Sequence, residues 1–312
     1  MIEERIPKPA YFLKQNDFTC FEAKNIMKIE PIASDSLGVR SMATYVETKD
    51  CSILIDPSAA LGPKRYRLPP TNIEQNTLQQ IKRIIAQKAS NCDILTISHY
   101  HYDHYDPYET FYHGKKVYAK DINKHINKSQ KKRGTDFKKE IKDHCDLIHA
   151  DDTKHIFGDT TLSFSPPFFH GPENVRFNYV IMTTVDYSSQ KLLHASDVQG
   201  PVTEDARDYI IKQNPDVLIM DGPPTLFLGW RFSTQNLIDA SDNLISIIEK
   251  TQCKVILDHH LLRDLNYKKR FEKPYQQHGQ SITTFAEYVG KENNTLEALR
   301  KKIWEQEKKK ED

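Results

Sequence analysis

The chain has 312 residues, of which 38% are hydrophobic and 28% charged, and its 44 basic and 43 acidic residues leave a formal net charge of +1. This near-neutral balance excludes the strong overall field of a protein that binds nucleic acid or membranes through net charge alone. No apolar stretch approaches the roughly 20 residues of a membrane-spanning helix. The acidic start Met1–Arg5 lacks the apolar region of a signal peptide, and five cysteines without a Cys-x-x-Cys pair are typical of reduced thiols. We therefore predict a cytoplasmic protein.

The domain organisation follows from where hydrophobic patterns begin and end. Residues 1–26 show no clear period, and the first recognisable pattern begins at Met27. We interpret residues 1–26 as an N-terminal extension outside the folded core. No linker, repeat or low-complexity boundary interrupts the chain beyond it. Residues 27–307 are therefore predicted to form one domain, followed by a charged tail over 308–312.

The first third of the chain predicts a hairpin, a helix and a buried strand. Residues 42–48 and 51–55 are β-rich runs separated by a polar pair, which predicts a β-hairpin. Thr71–Glu74 has the spacing of an N-terminal capping box. Apolar residues then repeat at helical spacing through Ile85, and the predicted helix leads into the apolar run Ile94–Ile97.

Four side chains that can bind metal follow the strand Ile94–Ile97 at once. They are His99, His101, Asp103 and His104. Imidazole nitrogens and carboxylate oxygens suit Zn²⁺ and neighbouring first-row metals. Because alternate residues of an extended segment point the same way, His99 and His101 can bind one ion, and the other two are free to face a second.

Further candidate ligands lie far along the chain, each just beyond an apolar run. They are, in chain order, His170, Asp197, His259 and His260. Sheets of α/β proteins usually place their functional loops at such positions. Pro166–Pro167 are unfavourable within a central strand and predict an edge or a break before His170.

The second half of the chain predicts alternating helices and strands. A helix is expected to start at Thr203, and the run Val217–Met220 predicts the strand that follows it. An apolar stripe from Leu237 to Ile248 predicts another helix, which precedes a strand over Lys254–Leu257. The last predicted helix is Leu296–Glu307. This alternation is typical of the α/β class.

The ordered ligand set resembles the metallo-β-lactamase superfamily, whose members share a His-x-His-x-Asp-His loop, then a distant His, a distant Asp and a last His. The resemblance spans roughly Met27 to Asp264 and includes Ser52–Ile55, which resembles the family's early strand, with Asp56 as its structural carboxylate rather than a ligand. It implies an α/β fold of the metallo-β-lactamase type, a four-layer αβ/βα sandwich of two mixed sheets flanked by helices. Three segments resemble a largely archaeal branch of metal-dependent hydrolase-like proteins: residues 36–42, 61–65 and 258–264.

The candidate ligands divide into two sets and a bridge. One ion would take His99, His101 and His170, the second would take Asp103, His104 and His259, and Asp197 would bridge both through its two oxygens. A structural zinc site takes four ligands and leaves no open position, so the larger number favours a catalytic centre with two ions about 3.5–4 Å apart. Water held there attacks as hydroxide, with Asp103 placed to orient it. The predicted cofactors are two divalent ions, Zn²⁺ first, with Mn²⁺ or Fe²⁺ as alternatives.

Some assignments around the centre have alternatives. Adjacent residues of an extended segment face opposite ways, so only one of His259 and His260 is expected to bind metal. We favour His259, whose distance beyond the apolar run resembles that of the family's last His, and keep His260 as the alternative. Asp258 is a candidate for orienting a ligand from behind. His194 lies an odd number of residues from Asp197 and is predicted to pack on the other face.

Arginines near the motifs are candidate clamps for a carboxylate or phosphate, because guanidinium can bind either group with two bonds. Arg40 and Arg263 are the predicted substrate-binding residues, from a group that also includes Arg65, Arg67, Arg176 and Arg231. The predicted partner is a small-molecule substrate, for which these arginines favour an anion. Nucleic acid is possible as a partner but not favoured, and no membrane association is predicted.

The predicted enzyme is a metallo-hydrolase that acts on a small ester, lactone or phosphodiester. The alternative is an RNA or DNA phosphodiesterase of the same superfamily, which only the basic segment 115–142 supports, and a solvated helix face is the favoured interpretation of that segment. A di-iron oxidoreductase related to flavodiiron proteins is disfavoured, because those resemble this fold but carry Glu where this loop has His101. A non-catalytic scaffold is disfavoured by the full ligand set.

Overall fold

The computed structural model describes residues 26–173 and 179–311. Residues 1–25 of the predicted extension and the candidate clamp Arg176 lie outside the described residues. Among the described helices, none combines the length and apolar character that a membrane crossing requires. The division into extension, domain and tail stays a prediction, as does the cytoplasmic location.

The first sheet has six strands in the spatial order of the chain. They are β1 (Lys28–Pro31), β2 (Thr44–Glu47), β3 (Ser52–Ile55), β4 (Ile94–Ile97), β5 (Lys116–Ala119) and β6 (Asp146–His149). The first three strands are antiparallel, and β3 to β6 are parallel. The predicted hairpin is confirmed by β2 and β3, in which Glu47 pairs with Ser52.

The second sheet has seven strands in the order β15-β14-β13-β12-β11-β8-β7. Strands β9 and β10, which fall between β8 and β11 in the sequence, form a separate two-stranded sheet. Their bounds are β7 (Lys154–Phe157), β8 (Thr160–Phe164), β9 (Phe168–Phe169), β10 (Tyr179–Val180), β11 (Thr183–Tyr187), β12 (Gln190–His194), β13 (Val217–Asp221), β14 (Lys254–Asp258) and β15 (Ile282–Thr283). Strands β12 to β15 are parallel. Pro166 and Pro167 fall between β8 and β9, which confirms the predicted break before His170.

Eight α-helices are described. They are α1 (Asn72–Asn91), α2 (Lys128–Ile141), α3 (Glu204–Gln213), α4 (Thr234–Thr251), α5 (Tyr267–Arg270), α6 (Glu272–His278), α7 (Phe285–Tyr288) and α8 (Leu296–Glu311). The capping box of α1 is confirmed, since Thr71 N donates to Glu74 Oε2 at 2.9 Å and Glu74 N donates to Thr71 Oγ1 at 3.3 Å. Helix α8 continues past Glu307, where the sequence predicted its end.

Alternating side chains of the central strands build three separate cores. In β3, Ile53 and Ile55 face the core between the two sheets, whereas Leu54 faces the core beneath α1 and α2. In β13, Ile219 faces the inter-sheet core, and its two neighbours pack toward α3 and α4. Strands buried on both faces are typical of parallel sheets covered by helices. The layers run helix, sheet, sheet, helix, so the predicted α/β sandwich is confirmed.

Helix α8 ties the end of the chain to the first sheet's helical layer. Arg300 and Glu74 are fully buried, and Arg300 donates to both carboxylate oxygens of Glu74, at 2.9 Å from Nε and 2.7 Å from Nη2. One turn earlier, Glu297 accepts two 2.6 Å bonds from Arg40. The sequence patterns did not indicate either pair.

We expect Arg300→Met to lower the free energy of unfolding by about 3–5 kcal/mol, because it leaves the buried charge of Glu74 without its partner. Lys301→Met, at an exposed neighbouring position of α8, is the matched control and should change the value little. Urea-induced unfolding measures both. Equal free energies for the two variants would contradict the structural role of the buried pair.

Candidate metal centre

The candidate residues meet at the carboxyl ends of the parallel strands. Asp56 and His99 follow β3 and β4 of the first sheet. In the second sheet, Asp197 follows β12, Asp221 ends β13 and His259 follows β14. Parallel strands of one sheet end at the same edge, which is where open α/β sheets place their functional loops. The packing of the two sheets brings both edges together.

Three non-glycine residues at these strand ends have a left-handed backbone. The φ angles are 49° at Asp56, 55° at Ser196 and 57° at His259. Such conformations cost about 1–3 kcal/mol each and persist where the surrounding contacts enforce them. Here they turn the chain sharply as it leaves each strand, so that polar side chains point into the centre.

The first group of ligand atoms comes from His99, His101, His170 and Asp197, and these atoms lie within 4.8 Å of one another. His99 Nε2 lies 2.9 Å from His101 Nδ1, and His170 Nε2 lies 3.0 Å from Asp197 Oδ2. This geometry brings together the residues predicted for the first ion.

The second group comes from Asp103, His104 and His259, again within 4.8 Å. His259 Nε2 lies 3.6 Å from Asp103 Oδ2, and His104 Nε2 lies 4.0 Å from Asp103 Oδ1. The structure thus collects all of the predicted ligand residues, whose role as ligands stays a prediction.

Asp197 lies between the two groups. Its Oδ2 is 3.6 Å from His99 Nε2, 3.3 Å from His104 Nε2 and 3.7 Å from His259 Nε2. Its Oδ1 is buried and has no hydrogen-bond partner among the described residues. A buried carboxylate oxygen without a donor is costly. The donor set of imidazoles and carboxylates, with this oxygen among it, fits divalent first-row cations.

Carboxylates behind the imidazoles fix their orientation. Asp56 Oδ2 lies 2.9 Å from His104 Nδ1, and Asp35 Oδ2 lies 2.8 Å from His259 Nδ1. Metal-binding histidines usually donate their second nitrogen to such a group, which leaves the first nitrogen free for the ion. The structural role predicted for Asp56 agrees with this contact. Asp35 has no sequence signal and was missed.

Smaller polar groups orient the first two histidines of the loop. Ser98 Oγ lies 3.0 Å from His99 Nδ1 and donates to Asp56 Oδ2 at 2.7 Å. Gln130 Nε2 of α2 lies 3.2 Å from His101 Nε2, while its Oε1 accepts the backbone N–H of Tyr100 at 2.8 Å. Helix α2 thus contacts the centre through one amide side chain.

The predicted opposite orientation of His259 and His260 is wrong. The two rings lie 4.4 Å apart between centroids, because residues His259–Arg263 form a 3₁₀ helix rather than an extended segment. Both histidines bring a ligand atom within 4.8 Å of Asp197. His260 Nδ1 lies 2.7 Å from Asp221 Oδ2. The choice of His259 as the ligand stays a prediction.

Two further expectations meet different outcomes. Asp258 contacts the backbone rather than the ring of its neighbour, since its Oδ1 accepts the N–H of His259 at 2.7 Å. His194 packs as predicted, with Nε2 at 3.0 Å from the carbonyl oxygen of Met42. Asp221 was missed, although an acid directly after the apolar run Val217–Met220 repeats the pattern that indicated Asp197.

Burial and neighbouring charges set opposite pKa shifts in the centre. Burial, together with the neighbouring His170, lowers the pKa of His101 to about 3. Burial alone would lower the pKa of His104 too, but the charges of Asp197 and Asp56 raise it well above its usual value. His104 and His259 in turn hold the pKa of Asp197 well below its usual range, despite its burial. At neutral pH Asp197 is therefore ionised, and His101 keeps a lone pair for an ion.

A cavity of about 470 Å³ opens onto the centre. Five of its lining residues carry metal-capable groups: His101, Asp103, His170, Asp197 and His260. Four arginines line it as well: Arg40, Arg133, Arg231 and Arg263. The predicted clamps Arg40 and Arg263 thus border the cavity, but Glu297 and Asp35 respectively accept their bonds. Their substrate-binding role stays a prediction.

The basic segment 115–142 contributes one residue, Arg133, to the cavity wall. Lys132 pairs with Asp136 on the same helix at 2.6 Å, and Lys115 Nζ donates to the carbonyl oxygen of Cys92 at 2.6 Å. These contacts favour a mainly solvated helix face over a continuous basic lip at the centre.

Comparisons with known proteins give strong matches in sequence and weaker ones in structure. No family model matches the chain. The UPF0282 protein of Methanocaldococcus jannaschii is 43% identical over 290 residues, which cover 89% of this chain and 96% of that protein. A possible metal-dependent hydrolase from Veillonella parvula is 13% identical, with a TM-score of 0.49, over 84% of this chain and 96% of the other. The metallo-β-lactamase fold protein YhfI from Bacillus subtilis is 16% identical, with a TM-score of 0.45, over 76% of this chain and 86% of the other.

Two mixed sheets lie between helical layers, and a His- and Asp-rich cluster lies at the ends of their parallel strands, which is the metallo-β-lactamase type of fold. The chain belongs to the UPF0282 family. A second relative, from Pyrococcus horikoshii, is 42% identical over 300 residues, 90% of this chain and 94% of that protein. The largely archaeal branch expected from the sequence is therefore confirmed.

Helix α2 can closely approach the segment 99–104, here called the metal loop, because Gly134 has no side chain. A Cβ there would lie 2.6 Å from Ile122 Cγ2 and 2.7 Å from Tyr100 Cε2. We expect Gly134→Ala to lower the free energy of unfolding by about 1–3 kcal/mol through this overlap. Because the shifted helix moves Gln130 away from His101, we also expect affinity for Zn²⁺ to fall about tenfold.

Gly279→Ala is the matched control, because a Cβ at Gly279 meets no atom within 4 Å. Chemical unfolding and zinc titration of both variants measure the two effects. If Gly134→Ala binds Zn²⁺ as tightly as the control, the contact through α2 does not support the centre.

Proposed function

We propose that the chain is a hydrolase that uses two divalent metal ions to cleave a small, anionic ester, lactone or phosphodiester. One observation carries this proposal, namely that the buried carboxylate of Asp197 lies between two His/Asp groups at the floor of an open cavity. A closed structural site would not place its ligands along a cavity wall. The native ions are proposed to be Zn²⁺, with Mn²⁺ and Fe²⁺ as alternatives.

Two such ions would supply Lewis acidity for the scissile group and acidify a water molecule between them. The first group of residues would hold one ion, the second group the other, and Asp197 would contact both. Asp56 and Asp35 keep His104 and His259 oriented toward this position. Such orientation before substrate arrives spares the reorganisation that a flexible site requires.

Asp103 is the proposed acceptor of the water proton. It borders the cavity, and its carboxylate faces Arg263, whose Nη2 lies 3.8 Å from Asp103 Oδ2. Although burial opposes it, the charges of His104, His259 and Arg263 lower the pKa of Asp103. The lowered pKa keeps this carboxylate ionised at neutral pH, where it can orient a water molecule. It also makes the carboxylate a weak base, so transfer of the proton to Asp103 depends on acidification of the water by the ions.

Zinc binding is the first test. For metal-stripped protein we expect about two equivalents of Zn²⁺ to bind and the free energy of unfolding to rise by about 2.7 kcal/mol for each bound ion when free zinc is 100 times the dissociation constant. Asp197→Ala should lose most of this gain, whereas Asp159→Ala, at an exposed position, should keep it. Calorimetric titration and urea unfolding measure both quantities. A gain that survives in Asp197→Ala speaks against the bridging role.

Hydrolysis is the second test, with a panel of one phosphodiester, one lactone, one thioester and one RNA oligonucleotide. We expect the zinc-loaded protein to cleave a small substrate, and Asp103→Asn to lower kcat/KM about 10²- to 10⁴-fold, because an amide cannot accept the water proton. Asp159→Asn is the control. Turnover that is confined to RNA and weakens steeply with salt would replace this proposal by the nuclease alternative.

A further inference from the structure

The four arginines of the cavity differ in what neutralises them. Arg40 donates two bonds to Glu297, and Arg263 donates to Asp35. Both guanidinium groups are thereby committed to carboxylates inside the fold. Arg133 and Arg231 have no ion pair with a carboxylate among the residues that the structure describes, so each leaves a net positive charge at the cavity.

Aromatic rings, rather than acids, support these two side chains. The guanidinium carbon of Arg133 lies 4.7 Å from the ring centroid of Tyr102, and that of Arg231 lies 4.1 Å from the ring centroid of Trp230. Stacking on a ring restricts a guanidinium group while leaving its N–H edges available. Arg133 also donates from Nη1 to the carbonyl oxygen of Tyr100 at 3.2 Å, which leaves its other donors for a ligand.

The backbone holds both arginines in defined places. Arg133 lies on α2, whose neighbouring Gly134 packs against the metal loop. Arg231 lies in a tight loop, in which Gly229 N donates to Phe232 O at 2.9 Å and Arg231 N donates to Phe227 O at 3.0 Å. A site built in advance loses less entropy when a ligand binds.

We propose that Arg133 and Arg231 bind a phosphate monoester group of the substrate, at a distance from the bond that is cleaved. Two guanidinium charges without acidic partners match a phosphate dianion better than a single carboxylate charge, and guanidinium binds phosphate with paired hydrogen bonds. Apolar residues such as Leu61 and Phe227 line the same cavity and can contact the carbon skeleton. Resting on the proposed function, this assigns as substrate a small organic phosphate that carries a second, hydrolysable bond.

Phosphate binding can be followed through Trp230 without any hydrolysis. The chain has two tryptophans, and Trp230 is 71% exposed beside Arg231. In a Trp304→Phe background, metal-free protein in chelator is titrated with inorganic phosphate at constant ionic strength. We expect a saturable change in fluorescence, and calorimetry of the same titration gives the dissociation constant independently. Acetate at equal ionic strength should produce a much weaker response.

The variants are Arg133→Met and Arg231→Met, with Arg83→Met as the control on an exposed position of α1. Loss of one charged pair of hydrogen bonds should weaken phosphate binding about tenfold or more in each cavity variant, and the control should bind like the parent. Equal responses to phosphate and acetate, or unchanged phosphate binding in both cavity variants, would overturn the proposal. Because these measurements use metal-free protein, phosphate binding that persists without hydrolysis of any substrate refutes the proposed function alone.

Discussion

A buried, ionised carboxylate where the ends of the two sheets meet is the constraint on which the architecture of the centre depends. Asp197 is 1% exposed, and its Oδ2 lies within 3.3 Å of nitrogens of both His170 and His104. An isolated buried charge would cost more than the whole stability of a typical domain, so it must be compensated. The surrounding imidazoles compensate it in part, and cations would do so more completely. The strand ends and their strained turns place these imidazoles around the Asp197 carboxylate.

The orienting carboxylates make the centre depend on both halves of the fold. Asp56 leaves the first sheet and contacts His104, Asp221 ends a strand of the second sheet and contacts His260, and Asp35 reaches His259 from the loop after β1. The first two contacts each join residues of one sheet, whereas the contact of Asp35 with His259 can form only when the two sheets pack. The geometry of the centre is therefore as cooperative as the inter-sheet core that supports it.

Local patterns predicted the strands, the helix caps and the metal loop, because each depends on neighbouring residues. The capping box at Thr71 and the buried strand before His99 are examples. Contacts between distant segments left no such trace: the bonds from Arg40 to Glu297 join residues 257 apart in the chain. The turn at His259 was predicted wrongly for a related reason. Its left-handed backbone is held by a hydrogen bond to the Asp258 side chain, which an assumption of extended geometry cannot anticipate.

Burial explains why arginines in one cavity take different roles. Arg263 is 6% exposed, and moving it toward a ligand would remove the guanidinium partner of the buried Asp35 carboxylate and leave it only the contact with His259, which is costly for a buried charge. Such an arginine stabilises the fold and shapes the field of the cavity, but it is not free to exchange partners. Arg231 is exposed and stacks on a neutral ring. It can gain an anion without abandoning a carboxylate, which is why the proposed phosphate site uses arginines whose present partners carry no charge.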